Sequence, residues 1–224
     1  VSSLDVQYRM HQDIMNTISH IYRDDIDGGL QCGILADMDD PNILTNKASR
    51  YHGLKLEPFI SPAKHAIWIN VNTPERKEGT SYLNEGEAKA VTRVLERLQC
   101  AEGFKAYQET RLSREDREIA VITFYGKQAG RLQAELKGKF SELLIRRDVV
   151  DNFQGMERDI VIVSTVRSNR TGNLGFAKDI ERINVAFSRA RRLLIVVGNK
   201  QLFSRHPIYA ESIRNMHQIN LNQL

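Results

Sequence analysis

The sequence predicts an α/β fold: a doubly wound, mainly parallel sheet with helices on both faces. Four short runs rich in β-branched residues are apolar at consecutive positions, which is typical of strands covered on both faces. Amphipathic helical patterns fall between these runs. Strands that alternate with helices favour a parallel sheet built from crossover units.

The apolar runs define the predicted strands. They span Ala66–Val71, Ile119–Thr123, Ile160–Val166 and Leu193–Val197, with Arg147–Val150 as a weaker fifth candidate. The predicted helices are His11–Ile18, Glu85–Leu98, Gln128–Leu136, Ile180–Arg191, Asn199–Arg205 and Pro207–Met216. Asn84 is expected to cap the helix that follows it, because its side chain can accept from a free backbone N–H of the first turn.

Two stretches do not fit this alternation. Asp24–Pro62 is rich in Gly, Asp, Asn and Pro, and we expect a long irregular excursion there. Ala101–Glu118 is polar and charged, which predicts a surface loop. Neither stretch breaks the chain sharply, so we expect residues 1–224 to form one domain.

Composition excludes several classes of protein. With 41% hydrophobic and 27% charged residues, the chain has the balance of a globular protein rather than a disordered one. No apolar run reaches the roughly 18 residues of a membrane helix, and the first residues are polar, so we expect an intracellular protein, cytoplasmic or nucleoid/nuclear and not secreted. The 2 cysteines and 6 histidines are scattered, so no metal site is expected. A net charge of +4 mildly favours a polyanionic partner.

Polar side chains follow the predicted strand Ile160–Val166. They are Ser164, Thr165, Arg167, Ser168 and Asn169. Ligands of open α/β sheets bind beyond the carboxyl ends of the strands, so these groups could hold phosphates. A polar loop that merely leaves a buried strand is the alternative.

A turn joins two of the predicted strands just upstream. Gly155 permits a tight bend, and we expect Gln154 and Glu157 to project near the same edge of the sheet. A carboxylate there could accept hydrogen bonds from a ribose hydroxyl or order a magnesium-bound water. Taken alone, a Gln-Gly-x-Glu sequence is more often just a turn.

Two further segments carry candidate phosphate ligands. Arg182 and Arg189 lie seven residues apart, hence on one helical face, and could clamp a phosphate. Tyr8 could stack on a base and Arg9 could reach a phosphate. The alternatives are an exposed basic helix face for the first pair, and a buried tyrosine beside a solvent-facing arginine for the second.

Five segments occur in one order along the chain: LDVQYRMH, SYLN, VDNFQGMERDIVIVSTVRSN, GF and RINVAFSRARRLLIVVGN. The series closely resembles the second, C-terminal RecA-like motor domain of superfamily 1B helicases of the nonsense-mediated-decay (Upf1-like) group. The resemblance implies a RecA-like sheet and an ATP-dependent DNA or RNA helicase or translocase.

The resemblance also implies roles at a nucleotide site. Arg9 corresponds to a γ-phosphate ligand and Arg189 to an arginine finger, so these two are the expected catalytic residues. The other residues expected near the nucleotide are Gln7, Tyr8, Gly155, Glu157 and Arg182. Glu181 stands before Arg182 where the family often has a second arginine, which weakens the case for a second basic contact there.

A second implied site grips the nucleic-acid backbone. Its expected residues are Thr123, Tyr125, Ser164, Thr165, Arg167 and Asn169. The expected partners are single-stranded DNA or RNA and the N-terminal RecA-like domain of the same protein, with no membrane.

The chain lacks the parts of a complete ATPase. It has no GxxxxGK[ST] loop and no acidic magnesium-binding motif after an apolar strand. We therefore expect ATP with Mg²⁺ to be held mainly by a first motor domain preceding Val1, and this chain to be inactive alone. A stand-alone nucleic-acid-binding module is the alternative. A small-molecule enzyme is disfavoured, because GxGxxG and a nucleophile–base pair are both missing.

Overall fold

The computed structural model describes residues 5–26, 29–34, 50–111 and 113–224, and within them six parallel strands form the central sheet. The strands of this sheet are β3 (Ala66–Asn70), β6 (Ile119–Thr123), β7 (Ile145–Val149), β8 (Arg158–Ser164), β9 (Ala190–Gly198) and β10 (His217–Asn220). Their order across the sheet is β10-β3-β9-β8-β6-β7. The four apolar runs and the weaker fifth candidate all became strands, which confirms the predicted RecA-like, doubly wound fold class.

Helices cover both faces of the sheet. One face packs against α1 (Gln12–Asn16), α6 (Ile180–Ser188), α7 (Lys200–Phe203) and α8 (Pro207–Arg214). The other face packs against α2 (Glu85–Gln99), α3 (Phe104–Thr110) and α5 (Gly126–Leu136), and α4 (Arg114–Arg117) leads into β6. Neighbouring strand residues alternate between the two cores: Trp68 faces the first and Ile67 the second. Both faces are therefore buried, which is why these strands are apolar at consecutive positions.

Two smaller sheets lie outside the central one. Near the amino end of the chain, β1 (Val6–Gln7) pairs in parallel with β2 (Gln31–Cys32). A hairpin of β4 (Arg76–Glu78) and β5 (Ser81–Leu83) precedes α2. As predicted, Asn84 caps α2: its side chain accepts from the backbone N–H of Glu87.

The prediction of a polar loop at Ala101–Glu118 was wrong. Most of this stretch forms α3 and α4. Few apolar positions mark these short helices, but Phe104 and Tyr107 reach the core, and the Arg111 guanidinium lies 4.9 Å from the Tyr107 ring centre. Tertiary contacts rather than an amphipathic pattern therefore support this segment.

Two other expectations need adjustment. The helix predicted over Ile180–Arg191 ends at Ser188, because β9 already begins at Ala190. Much of the predicted excursion Asp24–Pro62 lies outside the described residues. Within its described part, β2 and an isolated bridge between Leu56 and Ile60 are ordered structure.

Candidate functional site

The turn before α1 is built around the Gln7 side chain. Its Oε1 accepts from the backbone N–H groups of Arg9 and Met10, both at 2.9 Å. Its Nε2 donates to the Met10 carbonyl at 2.8 Å and lies 3.1 Å from Cys32 Sγ. Gln7 thus fixes the backbone on which the next two side chains are carried.

Tyr8 projects from this turn into solvent, with 67% of its surface exposed. Its ring lies directly over Gly33, where any Cβ would collide with ring carbons. Arg50 holds the backbone beneath it, donating to the Tyr8 carbonyl at 3.0 Å and to the Arg9 carbonyl at 2.6 Å. An exposed ring on a fixed backbone is suited to stacking.

Arg9 forms an ion pair with Glu157 through Nε and Oε1. The two side chains are 38% and 34% exposed. Glu157 follows a turn in which Gly155 has a φ of 79°, a left-handed conformation that favours glycine. The turn places the carboxylate immediately before β8.

Arg189 lies in the same region, directly after α6. Its guanidinium donates to the carbonyls of Val185 (3.1 Å) and Met156 (3.2 Å) and to the Ser188 hydroxyl (3.0 Å). Only 9% of Arg189 is exposed, and in the described part of the chain no carboxylate comes within ion-pair distance of it. Burial, and next the positive charge of Arg9, lower the pKa of Arg189. Among the described residues, Arg189 is thus a buried cation that lies close to a second cation and has no ion-pair partner.

This cluster of Arg9, Glu157 and Arg189 lies at the amino ends of β8 and β9, which corrects the position expected from the sequence. Glu157 precedes the first residue of β8 and Arg189 precedes the first residue of β9. Ser164 ends β8, and a seven-residue strand is roughly 20 Å long. The two sets of predicted ligands therefore face opposite edges of the sheet.

Arg182 is not brought to this cluster. It lies in the first turn of α6, about 10 Å along the helix from Arg189. Its Nε and Nη2 each lie 3.1 Å from an oxygen of Asp151, and its guanidinium lies 4.9 Å from the Phe176 ring centre. The helical face is the expected one, but Arg182 is paired at the opposite end of the helix.

At the carboxyl edge, Arg167 is buried against an acid that the sequence did not single out. Its Nε and Nη2 donate to the two oxygens of Glu75 at 3.0 and 2.9 Å. Its Nη1 donates to the hydroxyl of Tyr125, which is itself buried. Glu75 also accepts from Asn169 Nδ2 at 3.0 Å. Burial opposes the charge of Glu75, but the hydrogen bonds from Arg167 and Asn169 lower its pKa on balance.

A second buried acid, Glu87, holds the end of β8. It accepts from the Ser164 hydroxyl at 2.7 Å, the Val166 N–H at 2.8 Å and the Thr165 hydroxyl at 3.4 Å. Burial raises the pKa of Glu87 to about 8 despite these bonds. Val166 has a φ of 73°, a rare and strained conformation for a β-branched residue. The network fixes a sharp bend where the strand leaves the sheet.

The side chains expected to contact nucleic acid are thus mostly turned inward. Thr123, Tyr125, Ser164, Thr165 and Arg167 are buried, and only Asn169 is half-buried. Their polar atoms hold Glu75, Glu87 and the loop after β8, except for the Thr123 hydroxyl, which has no partner among the described residues. We therefore revise the expectation that these side chains contact the nucleic-acid backbone directly. They shape the carboxyl edge of the sheet instead.

Several residues at these two edges were missed by sequence reasoning. Glu87 follows Asn84 by three residues, so it resembled an ordinary acid of a first helical turn, and Glu75 carried no signal. Arg50 lies in the predicted excursion. Phe176, in the GF pair, is 55% exposed beside Tyr125, with ring centres 5.6 Å apart.

The described residues contain neither a cluster of metal-ligating side chains nor a membrane-spanning helix. No group of three or more His, Cys, Asp or Glu side chains that could hold a metal ion occurs among them. Across the same residues, every helix is too short or too polar to span a membrane.

The fold and these two edges define a doubly wound α/β domain with the Arg9–Glu157–Arg189 cluster at one edge and a buried Arg167–Glu75 pair at the other. Comparison with known proteins identifies the family. The AAA_12 model, described as an AAA domain, matches residues 1–201, so the chain belongs to this family.

Individual relatives agree with the resemblance drawn from the motifs. The chain is 32% identical to the regulator of nonsense transcripts 1 homolog of Drosophila melanogaster over 209 residues, covering 92% of this chain and 16% of the fly protein. It is 33% identical to the DNA polymerase alpha-associated DNA helicase A of Saccharomyces cerevisiae over 213 residues, covering 92% of this chain and 28% of the yeast protein. The Upf1-like resemblance is confirmed, and the chain spans less than a third of either relative.

A solved structure is also similar, the C-terminal domain of a possible DNA helicase from Lactobacillus plantarum WCFS1. It shares 16% identity with a TM-score of 0.46, and the match covers 95% of this chain and 98% of that one.

Proposed function

We propose that this chain is the C-terminal motor domain of an ATP-dependent superfamily 1 DNA or RNA helicase or translocase that works inside the cell. It supplies the arginine finger and one side of the nucleic-acid path, and it is inactive alone. The whole chain acts as one RecA-like domain beside an N-terminal RecA-like domain of the same protein. Opening and closing of the cleft between the two domains moves the single strand.

The observation that carries this proposal is the buried guanidinium of Arg189, which has no carboxylate partner in the described chain and lies close to Arg9. Burying a cation costs free energy unless an anion compensates it. A triphosphate held by the other domain supplies that anion. Its hydrolysis drives the motor, and guanidinium groups at the γ-phosphate stabilise charge that develops during transfer.

The remaining nucleotide residues have supporting roles in this proposal. Gln7 fixes the turn, Tyr8 stacks on the base or sugar, and Gly155 shapes the turn that carries Glu157. Glu157 holds Arg9 and faces the ribose or the magnesium ion. Arg182 acts at a distance, through its pair with Asp151 at the far end of α6.

At the carboxyl edge of the sheet, the single nucleic-acid strand meets the surface that the buried residues shape. Ser164, Thr165 and Arg167 hold the loop after β8, Thr123 and Tyr125 form its floor, and Asn169 stands at its rim. A fixed edge of this kind suits contacts to a sugar–phosphate backbone, which require position rather than base recognition.

The test is ATP turnover by the complete protein with and without single-stranded DNA and RNA. Arginine fingers contribute about 10³–10⁵-fold to turnover. We expect Arg189→Ala to abolish strand-stimulated hydrolysis while strand binding persists. Hydrolysis by the isolated 224-residue chain, or unchanged turnover of Arg189→Ala, would contradict the proposal. If the complete protein binds single-stranded nucleic acid but never hydrolyses ATP, a plain nucleic-acid-binding module would be favoured instead.

A further inference from the structure

The outer strand β7 leaves one side of the central sheet open. It pairs with β6 alone, and within the described residues no other strand lies beside it. All five residues of β7 are half-buried, whereas every residue of the neighbouring β6 is buried. An open edge strand presents a row of backbone N–H and C=O groups, with which a further strand can pair.

The pairing register shows which backbone groups of β7 are free. Ile119 is the register partner of Ile145, and the Ile119 N–H donates to the Leu144 carbonyl at 2.8 Å. In a parallel ladder the two neighbours of Ile145 then face β6, so the N–H and C=O groups of Ile145 and Arg147 face outward. Among the described residues, these outward groups have no hydrogen-bond partner.

Asp148 closes the carboxyl end of this edge. Its carboxylate accepts from the outward N–H of Val149 and from Asn152 Nδ2, both at 2.8 Å. The open length therefore runs from Ile145 to Arg147. Backbone hydrogen bonds to this short length fix the direction of an added strand but give modest net affinity, because they replace bonds to water. Side-chain contacts must supply the rest.

An apolar groove of about 280 Å³ lies beside the same strand, on the face of the sheet covered by α5. Leu136, Phe140, Leu143 and Ile145 line it, together with Lys137 and Arg147. Side chains of a strand point alternately to the two faces of a sheet. A chain paired with β7 would therefore direct every second side chain toward the groove, where an apolar one is buried.

Two arginines of β7 stand on opposite faces of the strand. Arg147 lines the groove, whereas the Arg146 guanidinium lies 5.7 Å from the Phe153 ring centre, on the other face. The Nε–H group of each arginine is buried and has no hydrogen-bond partner among the described residues. Burial of a donor without an acceptor costs free energy, so a carboxylate brought to either arginine would be favoured.

The acids closest to these arginines along the chain do not neutralise them. Glu135 pairs with Arg131 and Lys139 on and after α5, and Asp148 is held by the bonds described above. Glu142 is exposed and forms no ion pair within the described chain. None of the residues that line the groove is acidic. This side of the sheet therefore presents positive charge beside an apolar groove.

We propose that the free edge of β7 binds an extended acidic segment of another protein, with apolar residues at alternate positions, as a seventh strand of the sheet. The backbone of the segment pairs with Ile145 and Arg147, its apolar residues enter the groove, and its carboxylates meet the two arginines. Strand addition of this kind takes affinity from the main chain and specificity from alternate side chains. A nucleic acid fits less well, because it has no strand backbone to pair with the edge and only charge to offer the apolar groove.

The test uses the complete protein and a short fluorescein-labelled peptide in which aspartate alternates with leucine and valine. Fluorescence anisotropy should show binding, and the same peptide with asparagine in place of aspartate should bind roughly tenfold more weakly. Hydrogen exchange read residue by residue should show the N–H groups of Ile145 and Arg147 protected roughly tenfold or more by the acidic peptide. A mere attraction between charges would leave these two amides unprotected.

Variants separate the arginines from the general charge of the protein. Arg146→Ala/Arg147→Ala should weaken peptide binding roughly tenfold or more, whereas Arg146→Lys/Arg147→Lys should retain most of the affinity. Arg205→Ala/Arg214→Ala is the matched control: it removes the same charge from two exposed arginines outside β7 and should bind the peptide as the wild type does. Thermal melting shows whether each variant is folded, and the exchange measurement on the wild type does not depend on them.

Three results would overturn the proposal. The wild-type protein might bind neither peptide, or it might bind the acidic one without protection of the Ile145 and Arg147 amides. In the third, the Arg146→Ala/Arg147→Ala variant loses affinity for single-stranded oligo-dT but not for the peptide, which would make this edge a nucleic-acid contact. The proposed motor function is independent of all three, because Arg189→Ala tests it through ATP turnover.

Discussion

The Arg9 guanidinium and the Glu157 carboxylate, 148 residues apart in the chain, form an ion pair at the amino end of β8. The pair joins the turn before α1 to the turn before β8, and it lies beside the buried Arg189. Glu157 therefore sets where the Arg9 side chain stands when no phosphate is bound.

Glu157→Gln keeps the size of this side chain but removes its charge. Because the pair is about one-third exposed, we expect the free energy of unfolding to fall by no more than about 1 kcal/mol. In the complete protein we expect kcat for ATP to fall about tenfold, since Arg9 is no longer held, while Arg9→Ala loses roughly 100-fold or more. Steady-state kinetics at saturating strand measure this.

Glu211→Gln is the matched control, because it breaks a partly exposed pair with Arg23 in which no residue of the cluster takes part. It should leave kcat within about twofold of the wild-type value. A Glu157→Gln protein with wild-type kcat would mean that Arg9 does not depend on this carboxylate.

How far the sequence predicts such a site depends on distance along the chain. The strands were predictable because burial on both faces requires apolar residues at consecutive positions. The partners of Arg9 and Arg167 were not, because Glu157 and Glu75 lie 148 and 92 residues away and no local pattern links them. The resemblance singled out both Arg167 and Arg189. No local pattern distinguishes Arg167, which pairs with Glu75, from Arg189, which has no carboxylate within ion-pair distance among the described residues.

Local sequence patterns also could not predict at which edge of the sheet the cluster lies. The rule that ligands bind at carboxyl ends describes one domain by itself. Here the Arg9–Glu157–Arg189 cluster lies at the amino ends of β8 and β9, whereas Ser164–Asn169 lie at and beyond the carboxyl end of β8.

Glu87 makes the stability of the folded protein fall as pH rises between about 4.5 and 8. Its pKa is raised from 4.5 to about 8 by burial, so between these values the folded state keeps a proton that the unfolded state has released. Stability from this residue is therefore present at low pH and falls as pH rises, by about 1.4 kcal/mol per pH unit at most. Glu87→Gln imitates the protonated acid, and we expect it to flatten this decline and to be more stable than the wild type at pH 8.

Urea denaturation between pH 6.5 and 8.5 measures the effect of Glu87. Glu96→Gln, an exposed acid on the same helix, should retain the wild-type slope. Equal slopes for Glu87→Gln and the wild type would show that Glu87 is already ionised in the folded protein.

A buried histidine cluster changes the stability with pH in the opposite direction. His65 stacks on His11 at 3.5 Å and lies 4.4 Å from His52 between ring centres. Burial lowers the pKa of His52 to about 4 and lowers that of His65 as well. His52 Nδ1 accepts from the Leu54 N–H at 3.0 Å, so protonation there would break that hydrogen bond.

The proton balance of these histidines sets how stability changes with pH. Below a pH of about 6.5 the unfolded histidines take up protons that the folded ones refuse, so stability falls as pH drops, by about 1.4 kcal/mol per unit for each residue. His52→Gln should be less stable at pH 7 but should have a shallower slope between pH 6.5 and 5. Melting temperatures across this range test it, with the half-buried His217→Gln as a control that keeps the wild-type slope.

Substitution of Gly175 tests whether the arrangement of Arg167 and Tyr125 at the carboxyl edge of the sheet controls strand binding. Its φ is 53°, and an added Cβ would collide with Arg167 Nη1 and with the Tyr125 hydroxyl. Gly172 is a matched control in the same loop: its φ is 79°, but an added Cβ would meet nothing within 4 Å. Both Gly→Ala changes impose backbone strain of about 1 kcal/mol, and only Gly175→Ala also pushes Arg167 away from Tyr125.

We therefore expect Gly172→Ala to lower the free energy of unfolding by about 1 kcal/mol and to bind single strands nearly as the wild type does. Gly175→Ala should cost about 2–3 kcal/mol and weaken strand binding by roughly tenfold, since overpacking adds to the backbone strain and displaces the loop that Arg167 and Glu75 hold. Denaturation and fluorescence anisotropy on the same preparations separate the two effects. If both variants bind equally well, the arrangement of Arg167 against Tyr125 stabilises the fold without controlling the strand-binding edge.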